Sequence, residues 1–171
     1  MRFTVFLVLI PLLTTEGCTS LNLFHDNDQD TRRAVREAEY HLAASNYGKA
    51  LDTYSYSYRR DPQNRALRDH FIETIEQIKT RGDEAFHHHE YATAGTIYYA
   101  VHKKCNQHKD ITPFLSFDGF FLHKQIRSCS KILTENGLEK YREGNIGDAI
   151  FLWKTVISFV PENKEGQKAN D

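Results

Sequence analysis

Gly137-Leu-Glu-Lys-Tyr-Arg-Glu-Gly-Asn-Ile-Gly-Asp-Ala149-Ile-Phe-Leu-Trp153-Lys-Thr-Val156-Ile-Ser-Phe-Val-Pro161 reads as two short amphipathic helices back to back. Gly137, Leu138 and Tyr141 mark the first, and Ile146, Ala149, Ile150, Trp153, Val156 and Ile157 recur at helical spacing in the second. Gly144-Asn145 is the turn between them: glycine accepts a positive φ, and Asn145 is suited to cap the helix that follows. Pro161 has no N–H to continue the ladder, so it ends the pair. The small residues Gly137 and Ala149 are expected to face each other and let the helices approach closely. A pair like this cannot bury its own apolar face, so similar units should be stacked on it.

The same offsets recur twice upstream. Leu42 lies eight residues before Ala50, and Tyr54 four after it, in a stretch that closes at Asp61-Pro62. Phe86 lies eight before Ala94, Tyr98 four after it, and Gly82 twelve before it, as Gly137 precedes Ala149. The chain therefore predicts an all-α array of about three helix pairs. Ala50 and Ala94 are 44 residues apart, and Ala66, Leu67, His70, Phe71, Ile75 and Ile78 keep the helical period without a break. An extended helix is therefore expected to open the second pair. Ala94 and Ala149 are 55 apart, and the excess falls in an insert carrying Phe114, Phe117, Phe120 and Phe121. So aromatic a run should be packed against the core, the alternative being an exposed patch that a partner covers. Tyr54 and Tyr58 share a helix face and should pack under the next helix.

These residues resemble the tetratricopeptide repeat (TPR), a helix-turn-helix unit of about 34 residues. On that resemblance the small residue of the first helix is Ala38, Gly82 and Gly137, and that of the second is Ala50, Ala94 and Ala149. The second-helix aromatic is Tyr54, Tyr98 and Trp153, and the closing proline is Pro62 and Pro161. The middle copy has Asn106 in place of the proline, and Ala34, Ile78 and Leu133 stand where the family has a first-helix tryptophan. The resemblance covers residues 31–164, with 165–171 as a flexible tail. It implies an α-solenoid whose concave side, lined by first helices, holds a peptide or helix of another protein. The residues it points to are Val35, Glu39 and Leu42, then Lys79, Asp83, Phe86 and His87, then Thr134, Leu138, Tyr141 and Arg142.

At the N-terminus, Met1-Arg2 precedes an apolar run from Phe3 to Leu13, the length of a secretory signal rather than of a membrane span. Thr14-Thr-Glu-Gly-Cys18 follows and resembles the lipobox of bacterial lipoproteins, with Thr15 where leucine is preferred and Glu16 unusual beside the cut. The expectation is a signal peptide over 1–17, a lipidated Cys18, and a polar tether over 18–30. Thr19 after the cysteine, by resemblance to Gram-negative lipoproteins, points to the outer membrane facing the periplasm; a soluble exported protein is the alternative. Cys105 and Cys129 then remain as a pair bracketing the insert. In an oxidising compartment they are expected to form a disulfide, worth roughly 3 kcal/mol by loop closure.

The formal net charge of −1 in 171 residues offers no basic face for nucleic acid. A charged share of 26% against 40% hydrophobic is the balance of a globular chain. His87-His88-His89-Glu90 invites a metal reading, yet consecutive helix residues point about 100° apart, and a solvated helix end explains the run better. No phosphate loop, nucleophile elbow, zincin motif or Cys-x-x-Cys is present, so no cofactor is expected and nothing argues for an enzyme. The expected work is binding: a membrane-anchored adaptor for a protein of an envelope complex, with metal handling by the histidine run as the rival reading.

Overall fold

The computed structural model describes residues 21–160, with side chains from residue 29 onward. The signal segment, Cys18, Pro161 and the tail lie outside the described residues. Six helices follow one another: α1 (Leu21–Ala43), α2 (Tyr47–Arg60), α3 (Arg65–His87), α4 (Tyr91–Gln107), α5 (Gly119–Arg142) and α6 (Ile146–Phe159). A short 3₁₀ turn (Thr112–Phe114) lies between α4 and α5, and there is no strand among the described residues. The chain is all-α. No helix among the described residues is long and apolar enough to cross a membrane.

Three hairpins, α1/α2, α3/α4 and α5/α6, form because their turns repeat one backbone solution. Ser45, His89 and Gly144 have φ of 55°, 63° and 80°, and each lies five residues before Ala50, Ala94 or Ala149. Each donates its N–H to the carbonyl three residues back, on Leu42, Phe86 or Tyr141. The next N–H, of Asn46, Glu90 or Asn145, reaches the carbonyl five back, on His41, Ala85 or Lys140, at 2.8–2.9 Å. This is the Schellman closure, which satisfies the last carbonyls of the first helix. Only Gly144 takes the left-handed conformation without a Cβ penalty; Ser45 and His89 hold it under strain.

The same turn corrects the expected role of Asn145. Asn46, Glu90 and Asn145 stand at the N-caps with ψ of 61°, 61° and 65°, and none makes a side-chain cap hydrogen bond. Asn145 Nδ2 donates instead to Glu143. Caps form where the backbone is extended: Asn64 (ψ 99°) accepts from Leu67 N, and Asp118 (ψ 176°) from Phe121 N.

Close approach inside the second and third hairpins comes from the small residue of the first helix meeting the aromatic of the second. A methyl at Gly82 would lie 3.0 Å from Tyr98 Cε1, and one at Gly137 would run into the Trp153 indole. Gly137 thus faces Trp153, where the sequence suggested Ala149. In the first hairpin Ala38 and Tyr54 are both buried.

Successive hairpins touch: α2 packs on α3 and α4, α4 on α5 and α6, and α1 also reaches α3. One core runs through them, from Ala34 and Leu51 through Phe71, Ile75 and Val101 to Leu122, Leu133 and Phe159. As expected, α3 is a single helix of 23 residues. In contrast, α1 begins at Leu21, inside the stretch expected to be a tether. Neither proline nor glycine interrupts the sequence from Thr19 to Tyr47, so nothing local stops the helix sooner.

Candidate functional site

The first helices, where the resemblance puts the binding surface, are not equally open. On α1, Glu39 is exposed, while Val35 and Leu42 are half-buried against the core. On α5, Thr134, Leu138, Tyr141 and Arg142 are all exposed, and the Thr134 carbonyl accepts from Trp153 Nε1 at 3.4 Å. Near the end of α3, His87 is exposed and Phe86 is half-buried, edge-on to Tyr91 with ring centroids 5.3 Å apart.

The middle of α3 is used internally. Lys79 pairs with Asp83 at 2.7 Å, and its ammonium lies 4.7 Å from the centroid of Phe121 and 5.8 Å from that of Phe117. Asp83 also accepts from Tyr98 OH at 2.7 Å. Burial first, and that hydrogen bond second, raise the Tyr98 phenol above its ordinary pKa. Lys79 thus holds the chain's own insert against α3, and Asp83 ties α3 to α4.

The insert follows α3 from Arg68 to Lys79. His108, at its start, is buried; it shares a 2.7 Å hydrogen bond with Ser55 Oγ and packs edge-on to Phe71. Tyr58 OH donates to Asp110 at 2.5 Å. Burial, followed by the bond to Asp110, pushes the Tyr58 pKa up to about 12. Ile111 is fully buried. Farther along, Phe114 lies under the Arg68 guanidinium, and Glu76 accepts from both Ser116 N and Ser116 Oγ. Of the four phenylalanines, Phe117 and Phe121 pack on the core while Phe114 and Phe120 remain exposed. The run is therefore a plug with two outward rings. Its hydrogen-bond partners on α2 and α3 had no sequence signal, because Ser55, Tyr58 and Glu76 lie 40 to 53 residues away from them.

The expected disulfide is not formed: Cys105 and Cys129 are free, buried thiols. Cys105 sits two residues from the end of α4 and Cys129 in the middle of α5, each enclosed by the apolar core. Burial pushes each thiol up to about 11, which keeps both protonated and unreactive.

The histidine run diverges, as helix geometry requires. His89 leaves the helix at its positive φ and shares a 2.7 Å hydrogen bond with Tyr91 OH. His88 lines a cleft of about 640 Å³ together with Leu42, Tyr47, Ile78, Arg81, Glu84 and Ile97. Among the described residues no three His, Cys, Asp or Glu side chains converge on a possible metal position. Tyr47 and Arg81 carry no motif that marks them, since only the turn of one hairpin meeting the body of the next brings them together. The arrangement offers a mixed apolar and charged surface. No family model, curated protein or solved structure matches the chain.

Proposed function

We propose that this protein is a TPR-type α-solenoid adaptor, exported and tethered to the outer membrane through Cys18. On this reading it binds a segment of another envelope protein during assembly of a pilus, secretin or outer-membrane machine. The observation that carries the reading is the repeated contact of a first-helix glycine with the second-helix aromatic, Gly82 with Tyr98 and Gly137 with Trp153. Three identical left-handed turns at a fixed distance from Ala50, Ala94 and Ala149 support the same assignment. Arrays of this kind expose their first helices along one side, where extended segments and helices dock. Because the insert occupies the centre of α3, the binding residues are Glu39 and Leu42 at one end and Leu138, Tyr141 and Arg142 at the other, with Phe86 and His87 between.

Photo-crosslinking in the native membrane tests this. A photoreactive residue at Glu39 or His87 should give one discrete adduct with the same protein, while the same group at Tyr56, exposed on a second helix, should give none. Equal labelling from all three positions, or an adduct from Tyr56 alone, would overturn the proposed surface. Cys18→Ser should move the protein from the membrane fraction to the soluble fraction, and an unchanged distribution would remove the anchor.

A further inference from the structure

The three second helices carry the same ridge, counted from their buried alanines: Tyr47, Leu51, Tyr54 and Tyr58 on α2; Tyr91, Gly95, Tyr98 and His102 on α4; Ile146, Ile150, Trp153 and Ile157 on α6. On the first two helices the next hairpin covers it. Tyr54 and Tyr58 pack on Phe71 of α3, Tyr98 on Phe121 and His102 on His123 of α5, and Gly95 under Phe159 of α6. On α6 the ridge is open: Ile146 is 55%, Ile150 43% and Ile157 75% exposed, with Leu138 and Tyr141 of α5 exposed beside it.

We propose that this open face is a self-association surface whose occupant is α6 of a second copy, the two helices crossing antiparallel about a two-fold axis. This surface shares Leu138 and Tyr141 with the peptide-binding side proposed above, but its reading does not depend on that one. Three observations choose a second copy. First, Ile146, Ile150, Trp153, Ile157 and Val160 alternate steps of four and three, the seam spacing of a coiled coil. Such a seam meets itself when reversed: Ile146 of one copy lies opposite Ile157 of the other, and Ile150 opposite Trp153.

Second, the opposite end of the array cannot serve as the mate. The positions that face backwards are Leu152, Val156 and Phe159 on α6 and Ile97, Val101 and Lys104 on α4, but Thr53, Ser57 and Arg60 on α2. Stacking head to tail would strip water from those polar groups without partners, so the contact closes tail to tail as an isologous pair. Third, the area suffices. Leu138, Tyr141, Ile146, Ile150, Ile157 and Val160 each offer on the order of 100 Å², about 600 Å² per copy, at the lower bound of a stable interface. Trp153, half-buried on Gly137 at its centre, is the kind of anchor that dominates such contacts.

Sedimentation of the purified full chain at micromolar concentration tests the proposal. The wild type should run as a dimer and Ile157→Asp as a monomer with an unchanged helical circular dichroism signal, because Ile157 is surface-exposed. In an Ile146→Cys, Ile157→Cys double variant, oxidation should link the two copies covalently on a denaturing gel. A wild type that stays monomeric, a dimer that survives Ile157→Asp, or a dimer that the paired cysteines fail to link would each overturn it. A monomer whose ridge becomes protected only when another protein is added would assign the face to that protein instead.

Discussion

The two junctions between hairpins join the same kind of unit by different chemistry. Where the first hairpin meets the second and the start of the insert that follows it, the contact is keyed by polar groups. His108 bonds to Ser55, Tyr58 donates to Asp110, and Lys104, almost fully buried, pairs with Asp52 at 2.5 Å. Where the second meets the third, the contact is mostly steric: Leu122, Ile126, Cys129 and Leu133 of α5 are buried, and the Phe159 ring fills the space that a side chain at Gly95 would take. The hairpin geometry therefore does not dictate the chemistry of stacking. A polar junction fixes register by direction, an apolar one by shape, and they should respond differently to substitution and to pH.

The largest effect is expected at the steric junction. Phe159→Ala empties a fully buried site and should cost about 3 kcal/mol. Gly95→Val drives a side chain into that ring, whose three nearest atoms lie 2.6–2.9 Å from a Cβ there, and should cost about 3 kcal/mol. If shape is the key, the double variant loses less than the two losses added together, by about 1–2 kcal/mol, because the valine fills the vacated space. Strict additivity in chemical denaturation would break the comparison.

A smaller effect is expected at the polar junction. Tyr58→Phe removes the bond to Asp110 and should cost about 1 kcal/mol, since the exposed carboxylate recovers a water. A loss as large as that of Phe159→Ala would mean that hydrogen bonds and not shape dominate stacking.

The smallest effect is a pH dependence. His108 is held below its usual pKa by burial, against a partly offsetting pull from Asp110. His102 is held below it by burial and then by His123 and Lys109. Both stay neutral in the fold while the unfolded chain takes up protons near pH 6.5. Stability should therefore be full above that pH and fall as the pH drops below 6.5, levelling off once the folded-state pKa values are passed. Melting temperatures measured from pH 7.5 to 5.5 should decline, and His108→Gln and His102→Gln should each flatten part of the slope. A slope unaffected by either would remove both histidines from the account.

What the sequence made legible follows from what is local. The hairpins could be read from the offsets around Ala50, Ala94 and Ala149, because helix period and turn closure are set within about a dozen residues. The long α3 followed from an unbroken apolar period, and the packing of Tyr54 and Tyr58 from their shared face. Local reasoning misled at Asn145, where the Schellman turn sets a backbone angle unsuited to a side-chain cap. It misled again at Cys105 and Cys129, where proximity in sequence and an even count say nothing about the register of α4 on α5.

By itself the sequence determined an all-helical chain of paired helices, because periodicity, small residues and turn chemistry act between neighbours along the backbone. Only the tertiary structure decided that the insert occupies the centre of α3, that two buried thiols stay apart, and that one end of the array is polar while the other leaves isoleucines uncovered. Those outcomes depend on which distant faces meet, and burial and hydrogen-bond partners do not exist until they do.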